Sequence, residues 1–294
     1  MTLITLQPSD TCSTCYGTFS YREAGPNDIV KGSVRTRETL LLVHGVGMQS
    51  VVWGPQIDHF SQSMRVIALD MPGHGGSSRL PVGSELTDYI DWLFVAITAL
   101  DVGPVNLAGH SMGALIAGGF AICHPLLTRR VAVLNGVYNR TAKARAAVEA
   151  RSAEINLGQI DINTPLVRWF EKPGSDDRAA RELVRGCLQK IDSEGYSTAY
   201  RAFARGDRTF AARWSEVTSP MLALTGDGDP NSTPEMSYAM AAAAINGHAE
   251  VIVGHRHMLN LTASDAVNVI LESWLATPLA IKSNNKPAVE VISK

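Results

Sequence analysis

Short apolar runs recur along the chain, and most of them end at a glycine or a polar residue. Continuous runs of this length are typical of strands that are buried on both faces of a sheet. Segments with a helical hydrophobic period separate most of the runs, and this alternation predicts an α/β fold with a mostly parallel, doubly wound sheet. The predicted strands cover 19–24, 39–43, 65–69, 104–108, 130–134, 220–225 and 249–253, and the clearest predicted helices cover 86–100, 112–123, 234–244 and 263–275.

The alternation of strands and helices breaks once. More than 80 residues separate Leu134 from Pro220, and they contain no convincing strand but several segments of helical character. We therefore predict that 139–213 forms a helical cap inserted over one end of the sheet. The predicted core comprises 19–138 and 214–276, and the flanking stretches 1–18 and 277–294 are predicted to be tails.

Composition and charge narrow the range of functions. The chain has 294 residues and a formal net charge of −2, so it offers no electrostatic footprint for nucleic acid. No apolar run reaches the roughly 20 residues of a membrane span, and the first ten residues lack the basic and apolar regions of a signal peptide. We therefore expect a cytoplasmic protein with a small-molecule partner, and the sequence leaves its oligomeric state open.

The four cysteines are too few for a disulfide scaffold in a chain of this size. Cys12 and Cys15 form an isolated Cys-x-x-Cys pair. Redox or zinc chemistry at such a pair requires a helix start or a second pair, and the sequence shows neither. We therefore assign no function to this pair.

The segment Gly109-His110-Ser111-Met112-Gly113 matches Gly-x-Ser-x-Gly and joins a predicted strand to an apolar predicted helix. A serine on such a turn is held at the edge of the sheet with its hydroxyl pointing outward. The glycines are needed because Cβ atoms there would clash with the neighbouring strand and helix. Ser111 is therefore the candidate nucleophile, and the alternative is an ordinary glycine-rich turn with an exposed serine.

Three further features accompany this turn. His44-Gly45 is followed by seven residues and Trp53, and 70–77 reads Asp-Met-Pro-Gly-His-Gly-Gly-Ser. A pair of late segments, one acidic and one with histidine, is the third feature. Together the four features resemble the α/β-hydrolase fold family over nearly the whole predicted core, and 70–77 is similar to the family's D-x-x-G-x-G-x-S turn. The resemblance implies the family's fold and the chain order serine, acid, histidine. It is specific for fold and much less so for substrate.

A serine hydroxyl becomes a good nucleophile when a histidine takes its proton and a carboxylate orients the imidazole. In the family the acid follows a late strand as Gly, two residues, Asp, a spacing that selects Asp229 over Asp227. The family's histidine segment, similar to G-H-M-x-N-L, favours His257 over His255, although the Gly-His pair falls one step early here. Some relatives carry the acid after an earlier strand, where this chain has Asn135 and thus no carboxylate.

Attack on a carbonyl creates an oxyanion, which preplaced donors must stabilise. The backbone N–H of Met112, directly after the nucleophile, is one predicted donor. The resemblance implies that the N–H of Val46, which follows His44-Gly45, is the second. We expect no metal, because the His-x-His pair has no spaced third ligand, and no cofactor is implied.

The predicted cap is basic. It carries 14 Lys and Arg against 10 Asp and Glu, a net charge of +4, and such a lid can steer an anionic substrate. Solvated helix faces explain the same charges without any role in binding. Trp169 lies in the predicted cap and is a candidate pocket residue.

The sequence therefore predicts a serine hydrolase that cleaves a small carboxylic ester or lactone through an acyl-enzyme. The closest alternative is a carbon–carbon bond hydrolase of ring-cleavage products, which shares the Ser-Met-Gly elbow but usually has an aromatic residue where this chain has Met258. Enol-lactonases and cofactor-free haloperoxidase-like enzymes also resemble the chain, and the same groups can hydrolyse an amide. A cap-gated small-molecule receptor with little turnover and a cofactor-free oxygenase that uses only the His–Asp pair remain open, because one fold hosts many functions.

Overall fold

The predicted apolar strands lie side by side in one mostly parallel sheet. A computed structural model describes residues 4–6, 16–26, 38–170 and 177–279. The strands there are β1 (Ile4–Leu6), β2 (Tyr21–Ala24), β3 (Thr39–Val43), β4 (Arg65–Leu69), β5 (Val105–His110), β6 (Thr128–Leu134), β7 (Met221–Gly226) and β8 (Gly247–Ile252). Across the described residues their order is β1-β2-β4-β3-β5-β6-β7-β8, with β1 and β2 antiparallel to their neighbours and β3 to β8 parallel. The predicted α/β fold is confirmed.

Helices follow most of the parallel strands. They are α1 (Gly54–Phe60), α2 (Leu86–Ala99), α3 (Met112–Cys123), α4 (Ala142–Asn156), α5 (Asn163–Trp169), α6 (Arg178–Gln189), α7 (Ser193–Gly206), α8 (Pro234–Ala243), α9 (Leu259–Thr262) and α10 (Ser264–Leu275). Two 3-10 helices cover Ser50–Trp53 and Ala211–Glu216.

Hydrophobic layers cover both faces of the sheet. On β3, Leu41 and Val43 pack into the layer that contains α2 and α3, whereas Leu40 and Leu42 pack into the layer that contains α1 and α10. All five residues of β3 are buried. This double burial explains why the strand reads as a continuous apolar run rather than as an alternating pattern.

Helices α4 to α7 stand between β6 and β7, in the interval that the sequence assigned to a cap, and we call them the inserted helices. α7 packs along α4, and its start meets the loop after β4. Gly195 and Gly73 approach so closely there that a Cβ built on Gly73 would lie 2.6 Å from the Gly195 Cα. The division of the chain into core and cap stays a prediction.

The segment 1–18 differs from the predicted tail. Ile4–Leu6 pairs with β2 as an edge strand, and the Thr18 N–H donates to Ser78 Oγ at 3.1 Å. Three residues are too few to show an alternating pattern, so this strand left no signal in the sequence. Cys12 and Cys15, and 280–294 of the second predicted tail, lie outside the described residues.

In the described part of the chain, no helix combines the length and the apolar character needed to cross a membrane. The cytoplasmic location stays a prediction from the sequence.

Replacing Gly109 with alanine should destabilise the fold. A Cβ on Gly109 would overlap the backbone carbonyl of Gly113, so β5 and α3 would have to separate. We expect a loss on the order of 3 kcal/mol in the free energy of unfolding, measured by urea denaturation. Gly186→Ala is the control, because a Cβ there meets nothing within 4 Å and alanine favours a helix. Equal stability of the two variants would contradict the close-contact argument.

Candidate active site

Ser111 occupies a sharp turn between β5 and α3. Its backbone has φ 56° and ψ −113°, a conformation that costs a residue with a Cβ about 1–3 kcal/mol. The Ser111 N–H donates to the carbonyl of Leu134 on β6 at 2.9 Å, and the Ser111 carbonyl accepts from the Ala114 N–H at 3.0 Å. These hydrogen bonds hold the strained turn in place, and the serine borders a cavity.

The three predicted catalytic residues meet at this turn, although each follows a different strand. His257 Nδ1 lies 2.7 Å from Asp229 Oδ2, and His257 Nε2 lies 3.1 Å from Ser111 Oγ. The carboxylate partner places the ring proton on Nδ1, which leaves Nε2 to accept the serine proton. The arrangement supplies a nucleophile, a base and an orienting acid within hydrogen-bond reach. Their catalytic roles stay predictions.

Asp229 is buried at the end of β7 and is surrounded by donors. Oδ2 accepts from Asn135 Nδ2 at 2.8 Å as well as from His257, and Oδ1 accepts from the Asn231 N–H at 2.8 Å. Burial alone raises the pKa of the Asp229 carboxyl, but the charge of His257 and these hydrogen bonds outweigh burial and hold the pKa below its ordinary value. The carboxylate therefore stays ionised at neutral pH and can stabilise an imidazolium.

Asp227 and His255, the alternatives to Asp229 and His257 in the sequence, form hydrogen bonds outside the triad. Asp227 is exposed, and its Oδ1 accepts from the Gly254 N–H at 2.8 Å, which closes the loop after β8. His255 Nδ1 lies 3.1 Å from Thr262 Oγ1. The geometry thus agrees with the spacing argument that selected Asp229 and His257.

Both predicted oxyanion donors border the nucleophile. A Cβ built on Gly45 would lie 2.9 Å from the Ser111 Cβ, and Val46 lines the same cavity as Ser111. Met112 is the first residue of α3, so its N–H has no acceptor within the helix and lies at the positive end of the helix dipole. The two backbones can therefore present N–H groups to one developing oxyanion.

Buried neutral histidines hold the loops around the site. His44 Nε2 accepts a backbone N–H from the loop after β4, and His74 Nε2 accepts the N–H of Gly47 at 2.9 Å. His110 Nε2 lies 2.7 Å from the carbonyl oxygen of His257 and donates to it. Burial lowers the pKa of His44, and it lowers the pKa of both His74 and His110 to about 3. These rings therefore act as neutral hydrogen-bonding groups near pH 7.

The inserted helices enclose a cavity of about 630 Å³ over Ser111 and His257. This volume suits a small molecule. Aromatic side chains form much of the wall, among them Trp169, Tyr196, Tyr200 and Phe203. Three arginines also line it: Arg140, Arg151 and Arg168.

Trp169 stacks on the imidazole of His257. The two ring centroids are 5.5 Å apart with an interplanar angle of 29°. Arg256, the residue before the histidine, donates from Nη1 to the carbonyl of Phe170 at 3.3 Å. His110 also contacts the His257 ring, at a centroid distance of 5.0 Å. The inserted helices and the serine turn therefore confine the imidazole together.

Sequence reasoning missed two residues that support the site. Asn135 was considered only as a position without a carboxylate, yet it donates to Asp229, which is 94 residues away in the chain. His110 was considered only as a variable residue of the serine turn, yet it contacts His257 across 147 residues. A polar residue at the end of a buried strand was the signal for Asn135, and the adjacency to Ser111 was the signal for His110.

The fold and the site define an α/β hydrolase. A sequence model of the Alpha/beta hydrolase family matches residues 40–269, and the chain belongs to this family.

The chain is 50% identical over 240 residues to the (E)-2-((N-methylformamido)methylene)succinate hydrolase of Acinetobacter baylyi, covering 82% of this chain and 91% of that protein. It is 29% identical over 197 residues to the 2-(acetamidomethylene)succinate hydrolase of Mesorhizobium japonicum, covering 64% of this chain and 70% of that protein. The crystal structure of the enol-lactonase from Burkholderia xenovorans LB400 has the same fold, with a TM-score of 0.78 at 21% identity over 92% of this chain and 100% of that chain.

We expect the free energy of unfolding to fall as the pH drops below about 6.5. The folded-state pKa of about 3 at His74 and at His110 lies below the ordinary 6.5, so between these values the unfolded chain binds protons that the folded chain does not. Each histidine contributes about 1.4 kcal/mol per pH unit in that window, and the loss ends below the folded-state pKa. Urea denaturation at pH 7, 6 and 5 measures the slope.

His74→Gln should reduce that slope by about 1.4 kcal/mol per pH unit, because one titrating ring is removed. His248→Gln is the control, since the His248 side chain is 70% exposed and lies on the edge strand β8. A free energy of unfolding that stays constant from pH 7 to pH 5 in the wild type would refute the interpretation of these rings as neutral supports.

Trp169→Ala should lower kcat by about 2- to 10-fold, because an aromatic contact of this kind contributes about 0.5–1.5 kcal/mol to the confinement of His257. Trp169→Phe should keep most of the activity, since a ring remains over the imidazole. Val167→Ala on the same helix is the control, because Val167 is 65% exposed. Steady-state kinetics measure the effect, and an unchanged kcat in Trp169→Ala would count against it.

Proposed function

We propose that the chain is a serine hydrolase that acts on a small, unsaturated, anionic acid of the ring-cleavage type and breaks a bond at an acyl carbon. The main support is that Ser111 and His257, hydrogen-bonded together with Asp229, line a partly open cavity with arginines in its wall. A triad alone is compatible with any acyl substrate. The cationic wall favours a substrate that carries negative charge.

In the proposed reaction, Ser111 Oγ attacks the acyl carbon while His257 Nε2 takes its proton. The N–H groups of Val46 and Met112 stabilise the oxyanion of the tetrahedral intermediate. His257 then gives the proton to the leaving group as the bond breaks and an acyl-enzyme remains. Water, activated by His257, releases the acid and restores the serine hydroxyl. The sum is one substrate and one water giving two products.

The relatives support the charge and the shape of the proposed substrate. Both methylene-succinate hydrolases are named for a short, acyclic, unsaturated dicarboxylate. A molecule of this kind resembles what the opening of a ring leaves. In the type of substrate, the comparisons therefore favour the alternative from the sequence, a carbon–carbon bond hydrolase of ring-cleavage products, over a hydrolase of simple esters or lactones.

The scissile bond is the next part of the proposal. Both relatives' names contain an amide, formamido in one and acetamido in the other. A serine hydrolase attacks an amide carbonyl with the same groups that it uses for an ester. We therefore propose hydrolysis at an amide carbonyl, with nitrogen as the leaving atom. Carbon–carbon bond hydrolysis is the second candidate, favoured by the Ser111-Met112-Gly113 elbow that this chain shares with those enzymes.

We also propose that the inserted helices act as a cap over this site. They supply the stacked Trp169 and most of the cavity wall, so a substrate inside would be shielded from water. Exclusion of water strengthens every electrostatic interaction in the site.

The test is a substrate panel read together with active-site labelling. The panel contains an N-acylaminomethylene succinate, a vinylogous diketone acid, a short acyl ester and a lactone. Intact mass after treatment with a fluorophosphonate reports whether Ser111 reacts. We expect one adduct, fastest turnover of the aminomethylene succinate, and a loss of kcat of at least about 10⁴-fold in Ser111→Ala and in His257→Ala.

His255→Ala and Asp227→Asn are the matched controls for His257→Ala and Asp229→Asn. Both control residues lie close in sequence to the proposed residues but are engaged elsewhere, so their variants should keep activity. Fastest turnover of the diketone acid would move the proposal to carbon–carbon hydrolysis. Labelling and turnover that persist in Ser111→Ala would rule out the serine mechanism, and tight ligand retention without turnover would indicate a receptor.

A further inference from the structure

One arginine of the cavity wall is buried with part of its hydrogen-bonding capacity unused. Arg140 lies between β6 and α4, and its side chain is 3% exposed. Its Nη1 lies 3.2 Å from Asp207 Oδ1 and 3.4 Å from the carbonyl oxygens of Phe203 and Ala204. Its Nη2 is buried and has no hydrogen-bond partner among the described residues. Asp207 Oδ1 beside it also has no hydrogen-bond partner, so the pair is not fully satisfied, and unsatisfied buried polar groups are costly.

The charges around Arg140 do not balance. Asp207 is fully buried, and it also accepts from Arg145 Nη2 at 3.1 Å. Two guanidinium groups therefore share one carboxylate, and the cluster keeps one net positive charge away from water. Burial lowers the pKa of Arg140 even though Asp207 acts in the opposite direction, so this single carboxylate does not offset the desolvation. An anion in the cavity would neutralise the cluster.

The orientation of the Arg140 guanidinium is fixed before any ligand binds. Its Cζ lies 4.5 Å from the centroid of the Phe203 ring, so the planar group rests against an aromatic side chain. Asp207 Oδ2 also accepts the backbone N–H of Arg140 at 2.7 Å, which ties both ends of the residue to one carboxylate. A guanidinium held in this way matches the geometry of a carboxylate oxygen and loses little entropy on binding.

The other two cavity arginines are less suited to this role. Arg151 Nη1 donates to Glu154 Oε2 and its Nη2 donates to the Asp161 carbonyl, both at 3.1 Å, so its charge is already paired. Arg168 is exposed and remains hydrated. Among the described residues that line the cavity, Arg140 is thus the buried arginine whose charge is only partly balanced.

We propose that Arg140 is a specificity-determining residue whose guanidinium binds a carboxylate of the substrate, and that Asp207 and Arg145 position it and set its charge. This inference rests on the proposed function and names the charged group that the cavity recognises. Because Ser111 and Arg140 line the same cavity, the bound carboxylate orients the acyl carbon relative to the serine.

The first test measures binding without turnover. In the Ser111→Ala protein, calorimetry with succinate reports the Kd for a dicarboxylate that contains no scissile bond. Arg140→Gln should weaken succinate binding by about 10- to 100-fold, the usual range for a lost charge-assisted hydrogen bond. Arg140→Lys should give an intermediate loss, because it keeps the charge but not the planar fork. Arg213→Gln is the control, since Arg213 is about half exposed and pairs with Glu216 outside the cavity.

The second test separates recognition from folding. Arg140→Gln should raise KM for the anionic aminomethylene succinate at least about tenfold more than it raises KM for a neutral short acyl ester. Arg145→Gln should also weaken succinate binding, although Arg145 does not line the cavity, because it removes the excess positive charge. A merely structural role for Arg140 would reduce activity on both substrates equally.

The outcomes distinguish this inference from the proposed function. Succinate binding that is unchanged in Arg140→Gln, or equal losses on the anionic and neutral substrates, would overturn the carboxylate site while leaving the serine hydrolase intact. Succinate binding that depends on Arg140 in a protein that hydrolyses no member of the panel would keep the carboxylate site and overturn the proposed function.

Discussion

The site depends on the close contact between two backbones where β5 turns into α3. Ser111 can take its left-handed conformation because Gly109 and Gly113 let strand and helix approach without Cβ atoms between them. The same contact places the first N–H of α3, that of Met112, directly after the serine and at the positive end of the helix dipole. Position of the nucleophile and stabilisation of negative charge therefore have one structural cause, and both would be lost if the two backbones separated.

Neutral imidazoles connect the loops that follow the central strands. His44, His74 and His110 each hydrogen-bond to backbone groups of a neighbouring loop, and burial keeps them uncharged. A neutral imidazole accepts a backbone N–H at its unprotonated nitrogen without adding charge. A carboxylate in the same place would add a negative charge, and a lysine ammonium has no acceptor. These hydrogen bonds hold the loops in place without adding charge beside Asp229 and His257.

In the proposed function, the inserted helices and the residue that follows them contribute both to substrate recognition and to the position of the catalytic base. From this segment come Trp169, which stacks on His257, and the Asp207 carboxylate that orients Arg140. Burial strengthens both the hydrogen bond between His257 and Asp229 and, in the proposed function, the attraction between Arg140 and an anionic substrate. A fold that is shared by many hydrolases would then gain its substrate preference from residues of the inserted segment.

The sequence by itself determined the local features: the buried strands, the serine turn, and the spacings that single out Asp229 and His257 in their loops. The strands and the serine turn follow from hydrophobic period and from the backbone demands of tight turns, which neighbouring residues set, whereas the resemblance to the family's spacing singled out Asp229 and His257. Only the tertiary structure decided that Asn135 donates to Asp229, that Trp169 covers the base, that Ile4–Leu6 joins the sheet, and that Arg140 shares Asp207 with Arg145. Each of these depends on a partner distant in the chain, and the free energy of such a contact comes from burial and hydrogen bonding in three dimensions, which leave no period or spacing in the sequence.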